Sequence, residues 1–156
     1  MTNQITPCLW FDNQALEAAI FYTSVFKNSK IESISRYTNE GKKIHGMEEG
    51  SVLTVVFCIN EQNFTALNGG PIFKFNEAIS LQVFCETQEE IDYYWNKLTN
   101  GGEEGQCGWC KDRFGLSWQI VPSILPQLMT DPEKSGRVTQ AFMQMKKFDI
   151  EKLKQA

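Results

Sequence analysis

Histidine is almost missing from this chain: His45 is the only one in 156 residues. It lies in the polar, glycine-flanked stretch GKKIHGMEEG, and no Ser or Cys nucleophile is paired with it in the sequence. A solvated loop residue is therefore expected there, and a catalytic triad is not. Positive charge is also short, with a net charge of −4. Binding to a phosphate backbone needs clustered Lys and Arg. The one basic group, Lys146, Lys147, Lys152 and Lys154, is interrupted by Asp149 and Glu151 and reads as a solvated helix face. Nucleic acid is not an expected partner. No apolar run approaches the roughly 18 residues that span a bilayer, and MTNQITPCLWF has no basic start followed by an apolar run. No membrane association is expected, and the cytoplasm is the expected location. No Gly-Lys-Ser/Thr follows ALNGGP, and no G-x-G-x-x-G follows a strand. Both absences weaken a nucleotide or S-adenosylmethionine site of the Rossmann kind.

Cysteine is present but in an unhelpful arrangement. Five is an odd number, and a chain of this length needs no disulfide staples. Cys8, Cys58 and Cys85 sit in apolar segments, where Cys behaves as a small hydrophobe. Cys107 and Cys110 have the CxxC spacing in QCGWCKDRFG. A thioredoxin-type pair needs a helix starting after the first thiol to lower its pKa. Here the following text, KDRFGLSWQIV, reads as a turn and a strand. A zinc site needs four ligands, and no second paired spacing exists. Strand–turn packing is the expected role of this pair, although Cys107 alone can still line a pocket.

What is present is a core, with 42% hydrophobic residues including eleven Phe and four Trp, and a repeated pattern. PCLWF reads as a strand. The next stretch places Ala15, Ala18, Ala19, Tyr22, Val25 and Phe26 at helical spacing, with Asp12 or Asn13 available as a cap. ISLQVFC reads as a second such strand. In TQEEIDYYWNKL, Ile91, Tyr94, Trp95 and Leu98 form an apolar stripe, Thr87 and Glu90 form a capping box, and Gly101-Gly102 stops the helix. Phe21-Tyr22 falls on Tyr94-Trp95 at an offset of 94 − 21 = 73 residues. Three strand-like runs follow each helix, with a polar loop over 39–50 and a hairpin turn over 60–63 in the first half. The pattern is α+β, two tandem βαβββ modules. The expected organisation is one domain over residues 1–156: module one at about 4–70, module two at about 77–122, and a C-terminal helical extension over 123–156. In that extension Asp131 and Pro132 read as a helix start, and Val138, Ala141, Phe142 and Met145 as its apolar stripe.

DRFGLSWQIVP carries the most chemistry. Asp112 and Gly115 suit a tight turn. Trp118 and Ile120 share one face of the next strand, with Ser117, Gln119 and Val121 on the other. Gln82 holds a similar mid-strand place in ISLQVFC. A strand glutamine either faces water or is buried and bonded, and a third role is to read a ligand from a concave sheet. Asn68 either forms a turn with its glycines or supplies a polar wall.

ALNGGPIFKFNEAIS, QEEIDYYWNKL, QCGWCKDRFGLSWQIVP and AFMQMKKFDIEKL together resemble the PhnB-like, or 3-demethylubiquinone-9 3-methyltransferase-like, branch of the vicinal oxygen chelate superfamily. That superfamily includes the glyoxalase, bleomycin-resistance and extradiol dioxygenase proteins. The resemblance implies a curved eight-stranded mixed sheet around a cavity, usually in a homodimer. It also implies where enzymatic members place a metal: His or Glu on the first strand of each module, and Glu on the last. Here those places offer Thr6 or Pro7, Ala78 or Ser80, residues 65–67, and Gln119. Neutral oxygens alone hold a divalent transition metal poorly, so neither a metal nor another cofactor is expected. The expectation is a protein that binds an unknown small molecule through Gln82, Gln119, Asn68, Cys107 and Trp109. Two rivals stand beside it. One is an enzyme in which Asp112 or His45 acts as acid or base. The other is an interaction subunit whose interior is filled by its own side chains.

Overall fold

The computed structural model describes residues 3–156. The chain divides into two compact units, one ending at Lys74 and the other running Phe75–Ala156. The first contains β1 (Cys8–Phe11), α1 (Ala15–Val25), β2 (Ser29–Arg36), a single turn α2 (Lys42–His45), β3 (Val52–Ile59) and β4 (Gln62–Asn68). Its sheet has the order β1-β4-β3-β2, with β1 parallel to β4 and the other pairs antiparallel. The second contains β5 (Ser80–Cys85), α3 (Gln88–Thr99), β6 (Glu103–Glu104), β7 (Trp109–Lys111) and β8 (Ser117–Pro122). Its sheet repeats the scheme as β5-β8-β7-β6, again parallel only between its first and last strands. The fold is thus α+β, and the eight strands form two four-stranded mixed sheets of identical topology. Three further helices follow in the second unit: α4 (Leu125–Thr130), α5 (Ser135–Phe142) and α6 (Ile150–Gln155).

Strand alternation decides which face of each sheet receives the helix. In the first unit Leu9, Phe11, Val55, Phe57, Phe64 and Ala66 are buried, and α1 lays Ala18, Ala19, Tyr22 and Val25 against that side. The alanines let the helix approach closely. The ring of Tyr22 stacks on Phe57 at 6.0 Å and Phe57 on Phe64 at 5.3 Å. Each such ring removed from water stabilises the fold by about 2 kcal/mol. In the second unit α3 packs Ile91, Trp95 and Leu98 onto the face that carries Cys85, Cys110, Trp118 and Ile120. Tyr22 and Trp95, at the offset of 95 − 22 = 73 read from the sequence, occupy the same place in the two repeats.

Helix boundaries follow local chemistry with two exceptions. Thr87 Oγ1 caps α3 by accepting from Glu90 N at 3.2 Å, and Glu90 Oε2 reaches back to accept from Glu86 N, one residue before the cap, at 2.7 Å, a variant of the capping box. The β3–β4 hairpin turns on Asn60 and Glu61, both with positive φ (45° and 67°), the requirement of a type I′ turn. The first exception is the start of α1. Neither Asp12 nor Asn13 caps it; Ala15 N donates to Asn68 Oδ1 at 2.8 Å. The second is α5, which starts at Ser135. Asp131 first makes a turn, accepting from Glu133 N through its side chain and from Ser135 N through its carbonyl. Met145 and Lys146-Lys147 accordingly lie beyond the end of α5 at Phe142. Lys146 and Lys147 instead reach Glu104 and Asp92 at 3.6 and 2.5 Å. Among the described residues no helix is long and apolar enough to cross a membrane.

Candidate functional site

In the second unit the face of the sheet away from α3 carries the strand positions left over by the core. Register puts Ser80 opposite Ser117 and Gln82 opposite Gln119 across β5–β8. It puts Trp109 opposite Gln119 and Lys111 opposite Ser117 across β7–β8. Directly opposed residues project to the same side, so Ser80, Gln82, Trp109, Lys111, Ser117 and Gln119 share this face. Gln119 Nε2 donates to Ser80 Oγ at 2.7 Å, and Gln82 Nε2 approaches Gln119 Oε1 at 3.4 Å, a long contact. After those bonds each amide keeps an N–H, and Gln82 Oε1 and the Ser80 hydroxyl proton are still available to a ligand. Lys111 Nζ bonds Glu77 Oε1 at 2.5 Å. The Lys111 ammonium holds the Glu77 carboxyl below the usual range, and that carboxylate raises Lys111 in turn.

Three of the five residues read from the sequence, Gln82, Gln119 and Trp109, therefore meet on one surface. Asn68 lies elsewhere, on the helix side of the first unit's sheet, and is buried. Its Oδ1 caps α1, its Nδ2 donates to Val52 O at 3.1 Å, and its carbonyl accepts from Tyr37 Oη at 2.6 Å. Cys107 sits in a left-handed conformation, φ 56°, at the turn before β7. There its N–H donates to Met145 O at 2.7 Å and its Sγ approaches Phe142 O at 3.7 Å. Ser80, Ser117 and Lys111 complete the face. Ser117 could be placed there from its spacing two residues before Gln119, whereas the roles of Ser80 and Lys111 depend on strand register.

The other candidates have structural partners. Asp112 is buried, and its carboxylate accepts from Phe114 N, Leu116 N and Trp118 Nε1 at 2.8, 3.1 and 2.8 Å. His45 ends α2, with Nδ1 accepting from Met47 N at 3.0 Å and its ring 4.6 Å from that of Tyr37. Cys110 points into the core, and burial, with the Asp112 and Glu104 charges behind it, pushes its thiol up to about 12. All five cysteines are free. In the folded protein at pH 8, iodoacetamide is expected to leave Cys110 unmodified, because the thiolate is the reactive form. Peptide mass mapping before and after denaturation checks this, and alkylation of Cys110 in the native state would refute it.

The donor set does not fit a divalent transition metal. At the middle of the helix-free face of the second unit it comprises hydroxyls and amides, and the nearby carboxylates Glu77 and Glu103 lie at the Lys111 end, where Glu77 is bonded to Lys111. On the corresponding face of the first it includes Cys8, Trp10, Thr54, Cys58, Thr65 and Leu67, with Cys8 opposite Thr65 and both Trp10 and Thr54 opposite Leu67. Partial burial pushes the Cys8 thiol up, so it stays protonated at neutral pH. Among the described residues no three His, Cys, Asp or Glu side chains are grouped to hold an ion.

Solved structures share this fold. The structure of the genomically encoded fosfomycin resistance protein FosX from Listeria monocytogenes superposes with a TM-score of 0.54, at 14% identity, over 84% of this chain and 99% of that one. A protein from Pseudomonas aeruginosa matches with a TM-score of 0.63, at 17% identity, over 78% of this chain and 98% of that one. The fold is that of the vicinal oxygen chelate superfamily. A closer relative, the PhnB protein from Bacillus cereus, is 38% identical over 77% of this chain and 99% of its own, with a TM-score of 0.68. The sequence profile of the 3-demethylubiquinone-9 3-methyltransferase family matches residues 3–121. The chain belongs to that PhnB-like family. Among curated proteins no match was found.

Proposed function

We propose that this protein binds a small molecule without a metal, on the helix-free face of β5, β8 and β7, and acts in the cytoplasm as a homodimer. The observation that carries the reading is the Gln82–Gln119–Ser80 chain of hydrogen bonds beside Trp109. A neutral amide stands at each mid-strand place, with donor and acceptor capacity left over and an indole next to it. Such a surface orients a ligand that offers carbonyl or hydroxyl groups and a flat apolar body. Gln119 and Ser80 hold one another, which reduces the side-chain entropy lost on binding.

Binding is favoured over catalysis because the side chains an enzyme would use are engaged elsewhere. Asp112 is committed to its own turn and to Trp118, and His45 lies in the first unit on α2. The family's name raises methyl transfer as the second reading, and titration with S-adenosylmethionine tests it directly.

Native mass spectrometry of the purified protein, with metal analysis, reports dimer mass, metal content and co-purifying ligand together. A small-molecule adduct without stoichiometric metal is expected, and Gln119→Leu should weaken its retention by about tenfold, the value of one lost hydrogen bond. Stoichiometric zinc, nickel or iron would overturn the metal-free reading. Tight calorimetric binding of S-adenosylmethionine would replace it with the methyltransferase.

A further inference from the structure

Beside the glutamine pair, on the β6–β7 side, lies a recess of about 160 Å³ within the second unit. Its lining includes Glu77, Glu103, Glu104, Trp109, Lys111 and Ser117. Such a volume is below that of a drug-sized site, so it holds one small group of a larger ligand or a small molecule alone. Glu103 stands opposite Lys111 across β6–β7, and the Lys111 ammonium is already bonded to Glu77, whereas Glu104 stands opposite Cys110, accepts from Trp95 Nε1 at 3.1 Å and pairs with Lys146. An anion entering here would meet the Glu103 carboxylate, while the Lys111 ammonium is committed to Glu77. A cation would meet the Glu103 carboxylate and Trp109, whose indole is the best of the aromatic rings for a cation–π contact.

Ser117 gives an independent sign that something docks here. It is 1% exposed, and its Oγ is buried with no hydrogen-bond partner among the described residues. An unpaired buried hydroxyl destabilises the fold that contains it, and native proteins keep few of them. Strand register places this hydroxyl on the same side as Lys111 and Gln119. A ligand N–H reaching it would supply the missing partner.

We propose that this recess is the subsite for a protonated amine, in which Ser117 Oγ accepts a hydrogen bond from the ammonium group, Glu103 balances its charge and Trp109 covers it. The proposal rests on the binding reading above and adds the class of ligand: an organic cation with a neutral polar body.

Calorimetry with benzylamine, benzyl alcohol and benzoate separates charge from shape. Benzylamine is expected to bind, benzyl alcohol to bind about tenfold more weakly, and benzoate not to bind. Ser117→Ala is expected to melt about 3 °C higher than the native protein, since it removes an unsatisfied group, yet to bind benzylamine about tenfold more weakly. Glu103→Gln, which keeps the shape and removes the charge, is expected to weaken benzylamine and leave benzyl alcohol unchanged. Benzoate binding as tightly as benzylamine, no binding of any of the three, or a Ser117→Ala protein with unaltered melting and affinity would each overturn the amine subsite. Those results leave the glutamine reading standing if Gln119→Leu still loses the co-purifying ligand. If Gln119→Leu retains both that ligand and benzylamine while Ser117→Ala loses the amine, the recess stands and the glutamine reading fails.

Discussion

Asp112→Ala is expected to lower the melting temperature by about 10 °C, the equivalent of about 4 kcal/mol in a domain of this size. The carboxylate is 2% exposed and receives three N–H donors: two backbone amides of the turn after β7 and the indole of Trp118. Alanine leaves those donors without this acceptor, each at a cost of about 1–3 kcal/mol. Two of them are main-chain groups, Phe114 N in the D-x-x-G turn and Leu116 N just after it, at the entry to β8, so the register of Ser117 and Gln119 depends on them. Asp112→Asn separates charge from geometry. Asparagine Oδ1 can keep both backbone donors, but its Nδ2 then meets Trp118 Nε1, donor against donor. A loss of about 2 kcal/mol is expected, between native and Asp112→Ala. Thermal denaturation of the three proteins checks the order. Equal stability of Asp112→Asn and the native protein would mean that the Trp118 bond contributes nothing. A carboxylate held in this way has a structural task in the turn.

The repeat was legible because its signal is local. Helical spacing of Tyr22 and Trp95, alternation in SWQIVP, and the Asn60–Glu61 turn depend on residues within a few positions of one another, and the structure places each as its pattern predicts. The roles of Asn68 and Cys107 depend on contacts that local spacing does not encode. Asn68 reads locally as a turn former before two glycines. In the fold it caps a helix that begins 53 residues earlier, because β4 is parallel to β1 and ends beside the start of α1. The two glycines after it have a similar long-range cause. A Cβ on Gly69 would lie inside the indole of Trp10, whose Nε1 donates to Gly70 O at 2.9 Å. On the candidate site, Gln82 and Gln119 stood out because amides are uncommon in apolar strands. Their meeting needed the register of a parallel pair 37 residues apart. Ser117 could be assigned a face from alternation, but its unpaired hydroxyl is a property of the packed structure alone.

The CxxC segment owes its form to the C-terminal tail, and this gives the second large effect. Cys107 and Gly108 are consecutive left-handed residues, φ 56° and 78°, whose N–H groups donate to Met145 O and Lys146 O, both at 2.7 Å. Gly108 O accepts from Ile120 N at 2.8 Å, so one residue ties β8 to the tail. A Cβ at position 108 would overlap the ring of Phe148 and stand 2.7 Å from Ile120 O. The ring is 3% exposed and has little room to move, and the carbonyl belongs to β8. Gly108→Ala therefore combines a left-handed alanine, about 1–2 kcal/mol, with an overpacked core, about another 1–3 kcal/mol. A total loss of about 3 kcal/mol is expected, concentrated where the tail docks: limited trypsin digestion should cut at Lys146 or Lys147 in Gly108→Ala under conditions that spare the native chain. Gly136→Ala is the control. That glycine lies in α5 with open space where a methyl group would stand and no left-handed φ, so alanine should be neutral or stabilising by up to about 1 kcal/mol. If Gly108→Ala melts with the native protein and its tail resists trypsin equally, then Phe148 and β8 yield to a methyl group, and the tail is not held by the Cys107–Gly108 turn.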